Sequence, residues 1–555
     1  MKINKLLFLF ILALIFSSCS KKPDVLYVNG KIHTFDNENT TVEAIAVRDG
    51  KILKTGTTEE IRKDYNIENQ VDLQGKVVLP GFIDCQGYLI LFAKNLHLLD
   101  LRDVSSSEQL KKKLKDKVTQ MKAGDRIIGL YLNENNFKED DIVRIDKDYL
   151  DKTAPGNEIF IVNLRNDIGW SNSKGLESMK VTKMTPSPPK GEILKDDNGE
   201  LLGVFLDSAV NLLIEKLNNF SKKEMQSSVD RGINELLKYG ITEIHDRMLD
   251  KEGINLIKEL ADSGKMALRI YVILSAGDPS FTDYMKSGIE ENYKDRITVR
   301  AVSVDFDGAF ALQKAVMKDD YKIEPRRAVG YADTIEIEKA FREASDKKFQ
   351  FCVKTVGDLA VNKTLNAIEK VIKDKGLKDH RTVLEQIQFI SQNDISRFKD
   401  LNIIPQIAPE VTMENFEYVN DLIAKENKLS LGLWNSMLQA SGRITSGSDF
   451  PFQTINPFVQ IYYLLSRQYT DTTRMDIPNS SQKLNLIDAI KSYTIWAAYS
   501  GFEEKVKGSI EKGKYADMIV ISDDIFNSDT KKLLDTKVLK TIINGKVVYD
   551  RGTLK

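Results

Sequence analysis

The chain has 555 residues, with 80 lysines and arginines set against 81 aspartates and glutamates. That length is too great for one simple core and suits a large barrel joined to a small second domain. Balanced charge without a basic run gives no reason to expect a nucleic-acid partner, and ordinary apolar and aromatic content argues against wholesale disorder.

The first element is "MKINKLLFLFILALIFSSCSKK", a basic start and an apolar core from Leu6 to Phe16, then small residues and a cysteine. The apolar run is short for a membrane span. It resembles a bacterial lipoprotein signal over residues 1–18, with cleavage before Cys19, lipid on that sulfur and a tether over 19–23; the other reading is an ordinary secretory signal whose cysteine is incidental. The expected address is therefore the cell envelope, outside the cytoplasm, with the membrane as a partner through the Cys19 lipid. Next come "DVLYVNGKIHTFD", "EAIAVRDGKILKTG" and "QVDLQGKVVLPGF", short alternating strands broken by Asn-Gly and Asp-Gly, which is hairpin chemistry. The far end repeats the style in "ADMIVISDD" and "VLKTIINGKVVYDRG". Residues 24–79 and 503–555 are thus expected to build one composite β-sandwich.

Between these ends strands and helices alternate. "VVLPGFID" is followed by strand-like runs at 240–246, 268–274, 297–308, 349–358, 382–389, 402–409 and 443–451, with amphipathic helical stretches between most of them. The pattern predicts an α/β fold, a (β/α)8 TIM barrel over 80–502 with a long insertion at about 95–235, and places any chemistry at the C-terminal strand ends. By strand alternation Cys85 points away from Asp84 and Gln86, so it and Cys352 read as two buried free thiols.

"VLPGFIDCQGYL", "NLRNDIGWSNSKGLE", "YGITEIHD", "VSVDFDGAFA", "VKTVGDLAVNKTLNAIE", "SGSDFPFQTINPF" and the closing "GSIEKGKYADMIVI" together resemble amidohydrolase family 3, the branch with the N-substituted formamide deformylases. The resemblance implies hydrolysis of non-peptide carbon–nitrogen bonds by a water bound to a divalent ion. It also implies where the metal ligands should stand. The paired histidines after the first strand fall on Gln86 and Tyr88, the carbamylated lysine on Ser303, the fifth-strand histidine on Lys354 and the sixth-strand histidine on Gln386. A histidine of the insertion falls on Asp167, near Trp170. The eighth-strand acid survives as Asp449.

The protein's four histidines, His33, His97, His245 and His380, all lie elsewhere. Glutamine amides bind transition metals weakly, a tyrosine must first lose its proton, and a lysine ammonium repels a cation. No metal and no cofactor is expected. Lys354 and Asp449 are expected to form an ion pair across the old metal position. Asp449 reads either as a surviving base or as a structural acid; Gln86, Tyr88 and Gln386 either bind a ligand or fill a dead pocket. Three functions stay open: a hydrolase with an altered or absent metal, a silent envelope lipoprotein binding a small molecule in the barrel mouth, and a metal-free enzyme dependent on Lys354. A homodimer is left open.

Overall fold

A computed structural model describes residues 22–133, 136–137, 145–322, 328–423, 430–470 and 480–552. The signal segment and Cys19 lie outside the described residues. The chain divides into two units, residues 1–88 with 233–555, and residues 89–232.

The first unit is built on eight parallel strands: β1 (Phe82–Gly87), β2 (Ile241–Asp246), β3 (Arg269–Ser275), β4 (Ile297–Asp305), β5 (Gln350–Lys354), β6 (Val383–Glu385), β7 (Ile404–Ile407) and β8 (Thr445–Ser446). Each pairs in parallel with the next, and a parallel bridge from Phe450 to Gly87 returns the segment after β8 to β1. Such strands are covered on both faces, which is why "RIYVIL" and "ITVRAV" read as near-continuous apolar runs. Helices fill the crossovers, among them Lys251–Asp262, Thr334–Asp346, Asp358–Lys375 and Gln392–Asp400. Their starts are encoded locally: Asp333 and Glu336 form a reciprocal capping box at Thr334–Asp346, satisfying backbone donors that a helix start leaves open.

Two further sheets of this unit draw on both ends of the chain. One runs Lys51–Gly56, Ala44–Arg48, Val25–Val28, Gln70–Asp72; the other runs Lys546–Asp550, Val538–Ile543, Met518–Ile521, Val77–Pro80, Lys31–His33, Thr41–Val42. Tyr27, Ile45, Val47, Val78, Met518, Val520 and Ile542 share their core. The turns Asp49-Gly50 and Asn544-Gly545 take positive φ at both residues, the geometry two-residue hairpins prefer. The apolar run "VVLPGFID", read above as one barrel strand, is two strands in different sheets. Val77–Pro80 pairs with Met518–Ile521, and only Phe82–Gly87 enters the barrel. Gly81 is the joint, where a Cβ would stand 2.4 Å from the Thr242 side chain.

At the N-terminal end of the barrel strands, Lys507 lies between Glu243 of β2 and Glu503, 2.7 Å from the latter and in direct contact with the former. His245 stands 3.5 Å from Glu243 and beside the Tyr271 ring. All are buried or nearly so. Cys85 and Cys352 are free and buried.

The second unit holds a six-stranded sheet in the order Gly191–Lys195, Leu201–Asp207, Ile168–Ser171, Glu158–Asn163, Arg126–Leu132, Leu98–Asp100. Trp170 is part of its core with Leu110, Leu150 and Ile161.

Candidate functional site

The C-terminal strand ends bring Gln86, Tyr88, Gln386 and Asp449 together. Oδ1 of Asp449 accepts three hydrogen bonds: from Gln86 Nε2 at 2.6 Å, Tyr88 Oη at 2.9 Å and Gln386 Nε2 at 2.9 Å. Gln86 Nε2 spends its second hydrogen on Tyr88 Oη at 3.0 Å. Burial lifts the Asp449 carboxyl above the ordinary range; the Tyr88 hydrogen bond and then the charges of Lys354 and Arg247 pull it back. Tyr88 is itself held as a neutral phenol, its pKa raised by burial and by the Asp449 charge.

Two of these residues carry backbone strain. Asp449 has φ 66° and Gln386 φ 56°, in the left-handed region that side-chain-bearing residues avoid. Each is held from outside. The Asp449 N–H donates to the Gln86 carbonyl at 2.9 Å. The Gln386 N–H donates to Gln406 Oε1 at 2.7 Å, while Gln406 Nε2 donates to the Ile407 carbonyl at 2.9 Å. Gly447 completes the fit, because a Cβ there would lie 2.5 Å from Gln86 Cβ. Asp84 ties β1 to the segment after β8: its Oδ1 accepts from the backbone N–H of Gln86 at 3.0 Å and of Ser448 at 2.9 Å. Burial raises its pKa to about 6.

Ser303 joins a second cluster that the sequence reading missed. Arg247, just past β2, donates to Ser303 Oγ at 3.1 Å, pairs directly with Asp305, and places Nε 3.5 Å from Glu385 Oε2. Ser303 Oγ donates to that same Glu385 oxygen at 2.5 Å. The Arg247 side chain is 9% exposed, and the flanking carboxylates hold its pKa above the ordinary value against the opposing effect of burial. A buried cation at one strand end and a buried acid at another was a signal in "IHDR" and "VLEQ". Arg247 follows β2 while its partners sit on β4 and β6, and no spacing along the chain announces that.

The expected Lys354–Asp449 ion pair is absent. Lys354 ends β5, half-buried, and acts on Asp449 only through space. The carboxylate has neutral donors instead, and these leave no need for direct contact with the ammonium. Asp167 and Trp170 belong to the second unit. Asp167 accepts from Asn163 Nδ2 at 2.6 Å and from Arg165 Nε at 3.0 Å, while Trp170 is a core indole. Asp307 is a cross-tie, taking backbone N–H groups of Val316, Val356 and Gly357 at 2.8–2.9 Å.

These residues do not fit a divalent ion. At the strand-one and strand-six positions the side chains turn hydrogens toward Asp449 Oδ1, and Arg247 already supplies a fixed positive charge. His33 stacks on Phe526, His97 bonds Arg126 and Ser228, and His380 bonds Thr382. Among the described residues no three His, Cys, Asp or Glu side chains are grouped to hold a metal.

An eight-stranded parallel barrel with its polar cluster at the C-terminal strand ends is the architecture of a (β/α)8 barrel, which houses its chemistry there. The amidohydrolase family model matches residues 70–549, and the chain belongs to that family of hydrolases. YtcJ of Bacillus subtilis is 27% identical over 535 residues, covering 95% of this chain and 99% of its own. The N-substituted formamide deformylase of Arthrobacter pascens is 25% identical over 546 residues, covering 95% and 98%. A metal-dependent hydrolase from Pyrococcus horikoshii OT3 shares the fold, with a TM-score of 0.68 at 19% identity over 91% of this chain and 99% of its own.

Proposed function

We propose that this chain is an amidohydrolase-family barrel in which a hydrogen-bonded carboxyl group replaces the metal centre, so that the mouth binds a small polar molecule and the family's carbon–nitrogen hydrolysis is altered or lost. The observation that carries it is the convergence of Gln86, Tyr88 and Gln386 on one oxygen of Asp449. Ligands of a working centre would have to turn lone pairs to a shared ion; the Gln86 and Gln386 amides and the Tyr88 hydroxyl turn protons to Asp449 instead. Elemental analysis of the purified full chain, with an assay on N-formyl and N-acyl amines, tests the proposal. It expects no stoichiometric zinc, iron or manganese and no chelator-sensitive turnover. One equivalent of tightly bound metal refutes it.

A second reading keeps catalysis. The Lys354 side-chain nitrogen makes no hydrogen bond or ion pair among the described residues, which favours an amine available to a carbonyl compound. The amine adds to the carbonyl carbon, the oxygen leaves as water, and a C=N bond remains. Borohydride reduction with pyruvate present should then fix a mass adduct on Lys354; an unmodified Lys354 peptide removes this reading.

The proposal includes an address, a lipid-anchored protein of the cell envelope. Labelled palmitate should enter the wild type and not Cys19→Ala; equal labelling would refute the anchor.

A further inference from the structure

The barrel mouth holds two cations with opposite fates. Lys354 stands in register with Asp305 on one side and Glu385 on the other. Both carboxylates are natural counter-ions for it, and both are taken: Arg247 pairs with Asp305 and reaches Glu385, and Ser303 adds a hydrogen bond to Glu385. The third acid, Asp449, has Oδ1 filled by neutral donors. The Lys354 ammonium is thus surrounded by acids already engaged elsewhere, and its Nζ makes no hydrogen bond or ion pair among the described residues. Strand alternation puts it on the same face as Cys352, which packs with Ala301, Val383 and Ile404 of the neighbouring strands inside the barrel. A half-buried ammonium without a protein partner is costly unless an anion or water completes its shell.

We infer that Lys354 is the recognition point for a carboxylate group on the small molecule bound at the barrel mouth. The inference rests on the metal-free ligand site proposed above and names its ligand class. Arg247 is its positioning partner: by holding Asp305 and Glu385 it keeps them from neutralising Lys354. Asp449 Oδ2, which takes no hydrogen bond from the described residues, is left as an acceptor for a donor on the same ligand.

The test uses the full chain and paired probes: acetate, succinate and benzoate against acetamide, succinamide and benzamide, followed by saturation-transfer NMR and calorimetry. Wild type should favour each acid over its amide by about tenfold or more. Lys354→Met should lose that preference while keeping its melting temperature and its amide binding; Lys354→Arg should keep the preference. Equal binding of acid and amide to wild type, undiminished acid binding by Lys354→Met, or no binding of either series overturns the inference. Amide binding alone sinks the role of Lys354 and leaves the metal-free ligand site standing. Stoichiometric bound metal sinks that site itself.

Discussion

The two ends of the barrel handle buried charge in opposite ways. At the N-terminal end Lys507 is clasped between Glu243 and Glu503, charge answered by charge. At the mouth Asp449 is answered by two amides and a phenol, and the Lys354 ammonium has no direct partner among the described residues. The first arrangement closes its cation between two acids of the fold. The second keeps hydrogen-bonding capacity unspent, and it does so at the end of the barrel where chemistry is usually housed. The difference separates a structural clasp from a binding site more sharply than burial does, since both clusters are largely out of water.

The same substitution made in both places gives the largest contrast. Lys507→Met strands two buried carboxylates beside each other and should cost about 3–5 kcal/mol of unfolding free energy. Lys354→Met breaks no side-chain hydrogen bond or ion pair and should stay within about 0.5 kcal/mol of wild type. Denaturant titration of the two variants reads this directly; equal losses would erase the distinction between the ends. Next in size is the buttress. Gln406→Leu leaves the Gln386 N–H buried without its acceptor and should cost about 1–3 kcal/mol. The same variant should weaken ligand binding at the mouth as much as Gln386→Ala does, and the double variant should lose no more than either alone. Additive losses would separate Gln406 from the site.

Tyr88→Phe removes two hydrogen bonds, the one Oη donates to Asp449 and the one it accepts from Gln86, each worth about 0.5–1.5 kcal/mol, and its signature is in pH. The Asp449 pKa is raised in the folded protein, so folding favours the protonated carboxyl. Its contribution to stability is fully present below the ordinary carboxylate pKa and is lost as pH rises through the raised value. The Tyr88 hydroxyl favours the ionised form, so removing it should carry that loss to higher pH. Melting temperature against pH for both proteins tests the sign, and a shift to lower pH would contradict the donor role.

Legibility from sequence tracked how local the cause was. The eight barrel strands could be read because two-sided burial writes apolar runs, and the sheets at the chain ends could be read because Asp49-Gly50 and Asn544-Gly545 encode their turns. "VVLPGFID" misled because apolar character continues across Gly81 while the chain changes sheets. Gln86, Tyr88, Gln386 and Asp449 could be located by motif position. Their mutual bonding could not, because it depends on strained backbones at Gln386 and Asp449 and on a brace from Gln406. Arg247 was invisible as a partner for the same reason: it reaches across three strands, and the lysine that looked like the replacement cation in the sequence turned out to be the unpaired one.

The sheet that joins the two termini has a consequence for synthesis. Tyr27 donates a hydrogen bond to the carbonyl of Gly545, 518 residues away, and Val77–Pro80 has its antiparallel neighbour in Met518–Ile521. The amino-terminal strands leave the ribosome long before their partners are made. Until then Val77–Pro80 has a naked edge, and any transcript truncated before Met518 would leave it permanently open to pairing with strands of other molecules.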